Sequence, residues 1–202
     1  MKTVLKVMFH SNDPVKKNRT KSAAILAALL LFAHWALATT FTVVNTDNSG
    51  AGSLRQAILD ANSDGSAPHT INITVGGTIT VTSELPALTR ATTINGNGIT
   101  ISGGGTTRIW ASMQSNGSDI SVTFNSLNFT QGNGNGGSGS GSGGAFEIRQ
   151  GYRATFNDCA FYNNSSPSFG GAICYNVSGS QIGSMRPLIC TRCSFTNNSS
   201  TT

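Results

Sequence analysis

The chain has 202 residues, of which 10% are charged, with 24 glycines and a formal net charge of +5. Six of its 13 basic residues precede position 22, where Asp13 is the only acid, and the seven later arginines face seven acids. The positive charge therefore belongs to the leader and gives no reason to expect nucleic-acid binding. Abundant Gly, Ser, Thr and Asn at low charge would suit disorder, but Ile, Val and Phe alternate with polar residues through 41–129, as an ordered β protein requires.

Residues 1–21 are polar and basic, and 23–38 form a short apolar run ending in Ala36-Leu37-Ala38. This is the pattern of a secretory signal peptide with its small-residue cleavage site. The run holds 16 residues with His34 inside it, short of the roughly 20 apolar residues of a spanning helix. We expect residues 1–38 to be removed and 39–202 to form one exported domain that does not span a membrane.

Phe41 to Asn45 alternates as a first strand, and Thr46 to Gly52 is a turn cluster. Ser53 is placed to cap a helix running from Leu54 to Asn62. Leu54, Ala57, Ile58 and Ala61 share one helical face, with Asn62 at the end. A solenoid exposes the apolar end of its first layer, so residues 39–69 are expected to be a strand and capping helix ahead of rungs filling 70–202. Ser53, Leu54, Arg55, Ala57 and Ile58 carry that cap. Asp60 and Asp64 read as helix-end residues, and His69, beside Pro68, as a loop residue.

From Thr70 the chain becomes three- to six-residue runs centred on Ile71 and Ile73, Ile79 and Val81, Ile94, Ile99 and Ile101, Ile109, and Ile120 to Phe124, punctuated by Gly, Asn or Ser. No segment is long enough for a helical crossover, so the runs suit the stacked rungs of a parallel β-helix. Gly132 to Gly144 reads as a flexible loop by composition. It lacks the Asp of calcium-binding glycine-rich repeats and the following helix of a dinucleotide-binding loop.

Two phrases then recur. Gly143-Gly144-Ala145-Phe146 leads to Phe161-Tyr162-Asn163-Asn164, and Gly170-Gly171-Ala172-Ile173 leads to Phe195-Thr196-Asn197-Asn198. Phe129, Phe161 and Phe195 stand 32 and 34 residues apart, a solenoid period. The paired glycines supply positive φ or close approach at a corner, Phe161 and Phe195 should stack in the core, and Asn163 and Asn197 are expected to form an amide ladder. The longer second spacing puts an insertion in 176–187.

Cysteines stand at 159, 174, 190 and 193. Cys159 and Cys193 hold equivalent repeat positions, so the spacing allows a disulfide between them, the alternative being four small buried thiols. One Cys190-x-x-Cys193 without a second pair or a nearby His is a weak zinc signal. No cofactor is expected.

Val43-Val44-Asn45-Thr46-Asp47, Gly52-Ser53-Leu54-Arg55-Gln56-Ala57-Ile58, Leu85-Pro86-Ala87-Leu88 and Thr93-Ile94-Asn95-Gly96 together resemble the opening of secreted bacterial β-helix proteins named for a Cys-Ser-Leu-Arg-Glu-Ala motif. Gly52 replaces that motif's Cys, and Gln56 its Glu. The Gly-Gly-Ala and Phe-x-x-Asn phrases resemble the tetrapeptides of the chlamydial polymorphic outer membrane proteins, although Phe146 departs from their aliphatic fourth position and Phe129-Thr130-Gln131-Gly132 lacks the Asn. The resemblance implies a right-handed parallel β-helix, pectate-lyase-like in architecture, on the cell surface. Those proteins carry more repeats and a terminal barrel, so the array is expected to be cut short at its C-terminal end.

A β-helix enzyme acting on polysaccharides would need clustered acids, Arg, Lys or His along a groove. Here acids are scattered, no lysine follows Lys21, and His69 is the one histidine after the leader. The expected function is therefore an exported, adhesin- or passenger-like interaction module for a host, cell-surface or glycan partner. The alternatives are a carbohydrate-active lyase or hydrolase using Asp119, Glu147 and Arg153, and the N-terminal part of a larger protein.

Overall fold

The computed structural model describes residues 38–114, 119–137, 141–176 and 186–201. The expected signal peptide and most of the 176–187 insertion lie outside them. The described residues form one unit, a parallel β-solenoid of about five turns with one short helix.

Each rung lays one strand on each of two main sheets. The first holds β1 (Thr40–Val43), β2 (His69–Ile73), β4 (Thr92–Asn95), β6 (Ile120–Asn125), β9 (Tyr152–Asn157) and β13 (Leu188–Thr191). The second holds β3 (Thr78–Thr80), β5 (Thr100–Ser102), β7 (Asn128–Thr130), β10 (Ala160–Tyr162) and β14 (Ser194–Thr196). A third wall pairs β8 (Phe146–Ile148) with β12 (Ile173–Tyr175), and short β11 (Ser165–Ser166) pairs with β15 (Ser199–Ser200). Every pairing is parallel and in register, so residues of one kind fall into columns.

Inward columns form the core. Phe41, Ile71, Ile94, Phe124, Phe156 and Cys190 succeed one another on the first sheet, and Ile79, Ile101, Phe129, Phe161 and Phe195 on the second. Phe161 stacks on Phe129 at 5.0 Å and on Phe195 at 4.8 Å between ring centroids. Such contacts add about 0.5–1.5 kcal/mol per pair to the area that they bury. Phe195, on the last described rung, is 50% exposed.

Corners recur at fixed places. Two residues before the second-sheet strands, Gly98, Ser126, Asp158 and Arg192 all have positive φ; just after those strands, so do Gln131, Asn163 and Asn197. Asn163 and Asn197 are exposed and take the left-handed conformation that Asn tolerates best among non-glycine residues. The amide ladder expected of them is formed instead by their neighbours. Asn164 is fully buried; its Nδ2 donates to Phe129 O at 3.0 Å and to Asn198 Oδ1 at 2.9 Å, while its Oδ1 accepts from Gly132 N at 2.8 Å. Asn198 Nδ2 repeats the pattern toward Phe161 O at 2.9 Å. A left-handed residue reverses the direction of the next side chain, which sends the second Asn of each pair inward.

The glycine pairs divide their labour. Gly143 and Gly170 have φ of +71° and +66°, whereas a Cβ on Gly144 would overlap Gly171 O and one on Gly171 would meet the Ser199 backbone. Gly132–Gly144, expected to be a flexible loop, is packed over its described parts: Gly134–Gly136 is a 3-10 turn, and a Cβ on Gly136 would collide with Thr106 O. Composition suggested mobility, but here glycine is required because neighbouring backbone leaves no space for a side chain.

At the N-terminal end, α1 (Leu54–Ser63) packs against β1 and β2 through Leu54, Ala57, Ile58 and Ala61. Ser53 Oγ accepts from Gln56 N at 3.2 Å. Asn62 does not end the helix, which continues to Ser63 with Asp64 as C-cap; Asn62 instead bonds Ala87 O and Thr89 N of the following turn, both at 2.8 Å. Arg55 donates to Asn48 O, Ser83 O and Glu84 O at 2.9, 2.7 and 2.6 Å, joining the helix to two turns. His69 is not a loop residue. It opens β2, is 1% exposed and meets the Phe41 ring edge-on at 5.7 Å.

Two predictions follow from these contacts and corners. Asn164→Ala should lower unfolding free energy by about 1–3 kcal/mol, because it strands buried partners, while Asn163→Gly should stay within about 0.5 kcal/mol, since glycine accepts the same φ. Urea titrations of both would check this. Asp64 is held down to about 2 by bonds from Thr39 Oγ1 and from Ser66 N and Oγ. Its contribution is thus present above the ordinary aspartate range and lost as pH falls through that depressed value. Asp64→Asn should flatten the fall in melting temperature between about pH 4 and pH 2.

Candidate binding face

On the first sheet the inward residues are flanked by outward ones that repeat a short phrase. Thr70-Ile71-Asn72, Thr93-Ile94-Asn95, Thr123-Phe124-Asn125 and Thr155-Phe156-Asn157 lie directly above one another. Thr40 extends the threonine column by one rung and Thr42 stands at the head of the asparagine column. The middle residues are buried, so period-two alternation turns every Thr and Asn to the outside.

The asparagines bond rung to rung. Asn157 Nδ2 donates to Asn125 Oδ1 at 2.9 Å, Asn125 to Asn95 at 2.8 Å, and Asn95 to Asn72 at 2.8 Å. Nearly equal lengths mean that each step along the axis repeats the last, and side-chain ladders of this kind hold sheets flat. Threonine needs no such bond to stay in place, because β-branching restricts χ1. Within the described residues the side chains of Thr70, Thr93, Thr123 and Thr155 make no hydrogen bonds of their own. Adjacent strands lie about 4.8 Å apart and alternate residues about 6.7 Å along a strand, so the face is a rectangular lattice of hydroxyl, methyl and amide groups.

Charge is nearly absent. Of the outward residues on β1, β2, β4, β6 and β9 only Arg153 is charged, and it lies beside the ranks, 3.3 Å from Asp119, which also meets Arg186 at 2.9 Å. The phrase is readable in the sequence, but its intervals are 23, 30 and 32 residues. Loops of different length between rungs hide a period that the strands keep, and the Gly-Gly-Ala and Phe-x-Asn-Asn phrases draw attention first.

Asp119 and Arg153, two of the three residues considered for polysaccharide chemistry, do come together. Glu147 does not join them: it lies on β8, in a buried ionic cluster in which Arg108 reaches Glu84 at 3.3 Å and Glu147 at 3.2 Å, and Arg149 reaches Glu147 at 2.6 Å. Arg108 Nε also donates to Gly143 O at 3.1 Å, and the Gly134–Gly136 turn and Gly137 close over the cluster. With Arg108 and Glu147 fully buried, these charges tie three rungs together and do not meet a solute.

All four cysteines are free thiols, so the Cys159–Cys193 bond is not formed. Stacked in-register residues carry parallel Cα–Cβ vectors, which suits a column and not the crossed geometry of a disulfide. Cys159 Sγ turns to Asn157 O at 3.3 Å, and burial pushes its thiol up to about 11, which keeps it unreactive at neutral pH. Cys193 Sγ turns to Phe156 O at 3.4 Å. Among the described residues no group of three His, Cys, Asp or Glu is placed to hold a metal ion, and no helix is long and apolar enough to cross a membrane. No protein-family model, curated protein or solved structure matches the chain.

The ladder makes a graded prediction. Asn125, which donates once and accepts once, should lose about 1–3 kcal/mol on replacement by Ala, and Asn72, which only accepts in the ladder, about half of that. Chemical denaturation of the two variants side by side would test the order.

Proposed function

We propose that the chain is an exported β-solenoid protein of the cell surface or the secreted fraction, working as an adhesin- or passenger-like interaction module. The observation that carries this reading is the neutral Thr-x-Asn face, a rigid polar surface whose groups are held in columns by the fold. A preorganised face loses little side-chain entropy when a partner docks, so many weak contacts can sum to useful affinity. The signal-peptide pattern of residues 1–38 supports export. The likeness of the Gly-Gly-Ala and Phe-x-x-Asn phrases to those of polymorphic outer membrane proteins supports a surface location.

A carbohydrate-active enzyme is the second reading, favoured by one observation: the half-exposed Asp119, Arg153 and Arg186 meet beside the ranks. Glu147, the other acid considered, lies away from them in the buried ionic cluster, so the pair of carboxylates that glycoside hydrolysis uses is not brought together by these residues, which weakens that reading.

The full chain, expressed and recovered after export, should be retained on whole cells or on an insoluble polar solid such as chitin, cellulose or ice. The double variant Thr93→Arg with Thr123→Arg should lose at least about tenfold in retention with an unchanged far-ultraviolet circular dichroism spectrum. Equal retention of both proteins would overturn the face as the contact surface. Release of shortened sugars by the wild-type protein, lost in Asp119→Asn, would establish the enzyme instead.

A further inference from the structure

The reading of this face as a contact surface can be taken to its partner. We propose that the Thr-x-Asn face binds ice, the partner being the ordered oxygen lattice of a crystal surface and not a soluble molecule. The inference rests on the contact reading above and adds the chemistry of the occupant.

Four properties of the face point to a crystalline neutral lattice. It is regular in two directions, repeating along the axis in two parallel ranks set at a fixed spacing. Five threonines, Thr40, Thr70, Thr93, Thr123 and Thr155, run along the solenoid axis, and four asparagines run parallel to them one alternate position away. That spans roughly 20 Å by 7 Å at strand spacing, with a repeat of about 4.8 Å along the ranks and about 6.7 Å between them. A single polymer chain is periodic in one direction only, and the concavity on this sheet that Thr40 and Thr42 line lies at the head of the columns against α1, not along them. A crystal plane repeats in both, and the hydrogen-bonded oxygen rows of ice repeat on the same scale.

The face is also electrically matched to ice. A water crystal presents neutral donors and acceptors, and the ranks present neutral hydroxyls and amides, with Arg153 outside them and paired to Asp119. A charged solute would find no counter-charge here. A sugar would find no aromatic ring to stack on, because Phe124 and Phe156 point inward and are fully buried.

Third, each threonine offers a methyl beside its hydroxyl. Methyl groups cannot bond to water and order it around themselves, while hydroxyls and amides anchor that ordered layer; together they fix water positions without scattering them. The threonine hydroxyls are not engaged within the described chain, and they remain available for such anchoring.

Rigidity is the fourth property. Liquid water offers no fixed pattern, so an individual hydroxyl gains nothing by facing it in a lattice. Against a crystal, contacts form together, and the sum is realised only if the groups are already in place. The Asn ladder at 2.8–2.9 Å fixes one column, and β-branching fixes the other.

The test uses the full chain recovered after export. Thermal hysteresis is read by cryoscopy of single ice crystals, and recrystallisation is followed in a frozen polycrystalline film. The wild-type protein should hold growth below the melting point, facet the crystal and suppress coarsening. Thr93→Lys with Thr123→Lys, which raises two charged stems from the centre of the face, should lower hysteresis by about tenfold or more. Leu59→Lys, on the exposed side of α1, should leave it unchanged. Thr93→Val with Thr123→Val keeps the β-branched shape and should fold even if the lysine pair does not; losing two hydroxyl anchors, it should lower activity about threefold.

Absence of hysteresis and of recrystallisation inhibition in the wild-type protein would overturn the proposal, as would full activity in a folded lysine pair. Retention on chitin or cellulose that the lysine pair abolishes, without any effect on ice, would also overturn it, leaving the contact reading intact with a glycan as partner. Loss of neither ice activity nor solid-phase retention in the lysine pair would remove the face from both.

Discussion

In-register hydrogen bonding between parallel strands is the constraint from which the rest of this molecule follows. When Thr93 pairs with Thr70 below it and Thr123 above it, every position of a rung is placed over its equivalents at strand spacing. Chemistry is then selected by column. An inward column must be apolar along its whole length: the second sheet's passes from Ile79 and Ile101 to Phe129, Phe161 and Phe195, and the first sheet's runs from Phe41 through Ile71 and Ile94 to Phe124, Phe156 and Cys190. Phe124, Phe129, Phe146, Phe156 and Phe161 meet one another edge-on or stacked at centroid distances of 4.9 to 6.3 Å, with Trp110 joining at 5.2 and 5.5 Å. Their interlocking gives the later rungs a continuous aromatic core, while the earlier rungs are closed by the helix.

Corners obey the same rule with different chemistry. A parallel rung must change direction without breaking the ladders on either side, and a single left-handed residue does so in little space. Where the outer surface is open, Asn163, Asn197 or Arg192 can supply it; where another backbone lies against the corner, as at Gly143 and Gly170, only glycine fits. Columns also let polar side chains be used inside. Asn164 sits in the wall of the solenoid with its amide satisfied by two neighbouring rungs, which a lone buried amide could not achieve.

Much of this organisation is legible in the residues, because columns leave like letters at equivalent places. Phe129, Phe161 and Phe195 announce the rung, Ser53 and the Leu54, Ala57, Ile58, Ala61 face announce the helix, and the Gly-Gly pairs announce a corner. What could not be read is what depends on side-chain direction at a left-handed residue. In Asn163-Asn164 the letters are identical, and only the φ of the first decides that the second turns inward. His69 misleads for a related reason: its neighbours Ala67 and Pro68 suggest a loop, yet pairing with Thr92 makes it a strand residue against Phe41. Gly132–Gly144 misleads through composition, since glycine means freedom only where nothing else is close. The Thr-x-Asn ranks were hidden by loop length alone, their intervals being unequal although their stacking is regular.

The two main sheets provide an internal comparison for the outer face. Outward positions of a parallel sheet are the least constrained in the fold, requiring little beyond tolerance of a pleated backbone. On the second sheet the outward column reads Thr78, Thr100, Asn128, Ala160 and Ser194, and its companion reads Thr80, Ser102, Thr130, Tyr162 and Thr196. Those columns drift, although Ser102 and Thr130 in the second of them are covered and buried. On the first sheet the same freedom yields Thr40, Thr70, Thr93, Thr123 and Thr155 on five successive strands, before Ile189 takes the position on β13. The Asn column beside them has a structural reason in its ladder, but among the described residues the side chains of Thr70, Thr93, Thr123 and Thr155 have no hydrogen-bond partner. Strand propensity accounts for some threonines on any such face, and it acts equally on both sheets. The sheets differ in cover as well: Ser102 and Thr130 are buried, whereas Thr40, Thr70, Thr93, Thr123 and Thr155 keep part of their surface open, as the proposed contact requires.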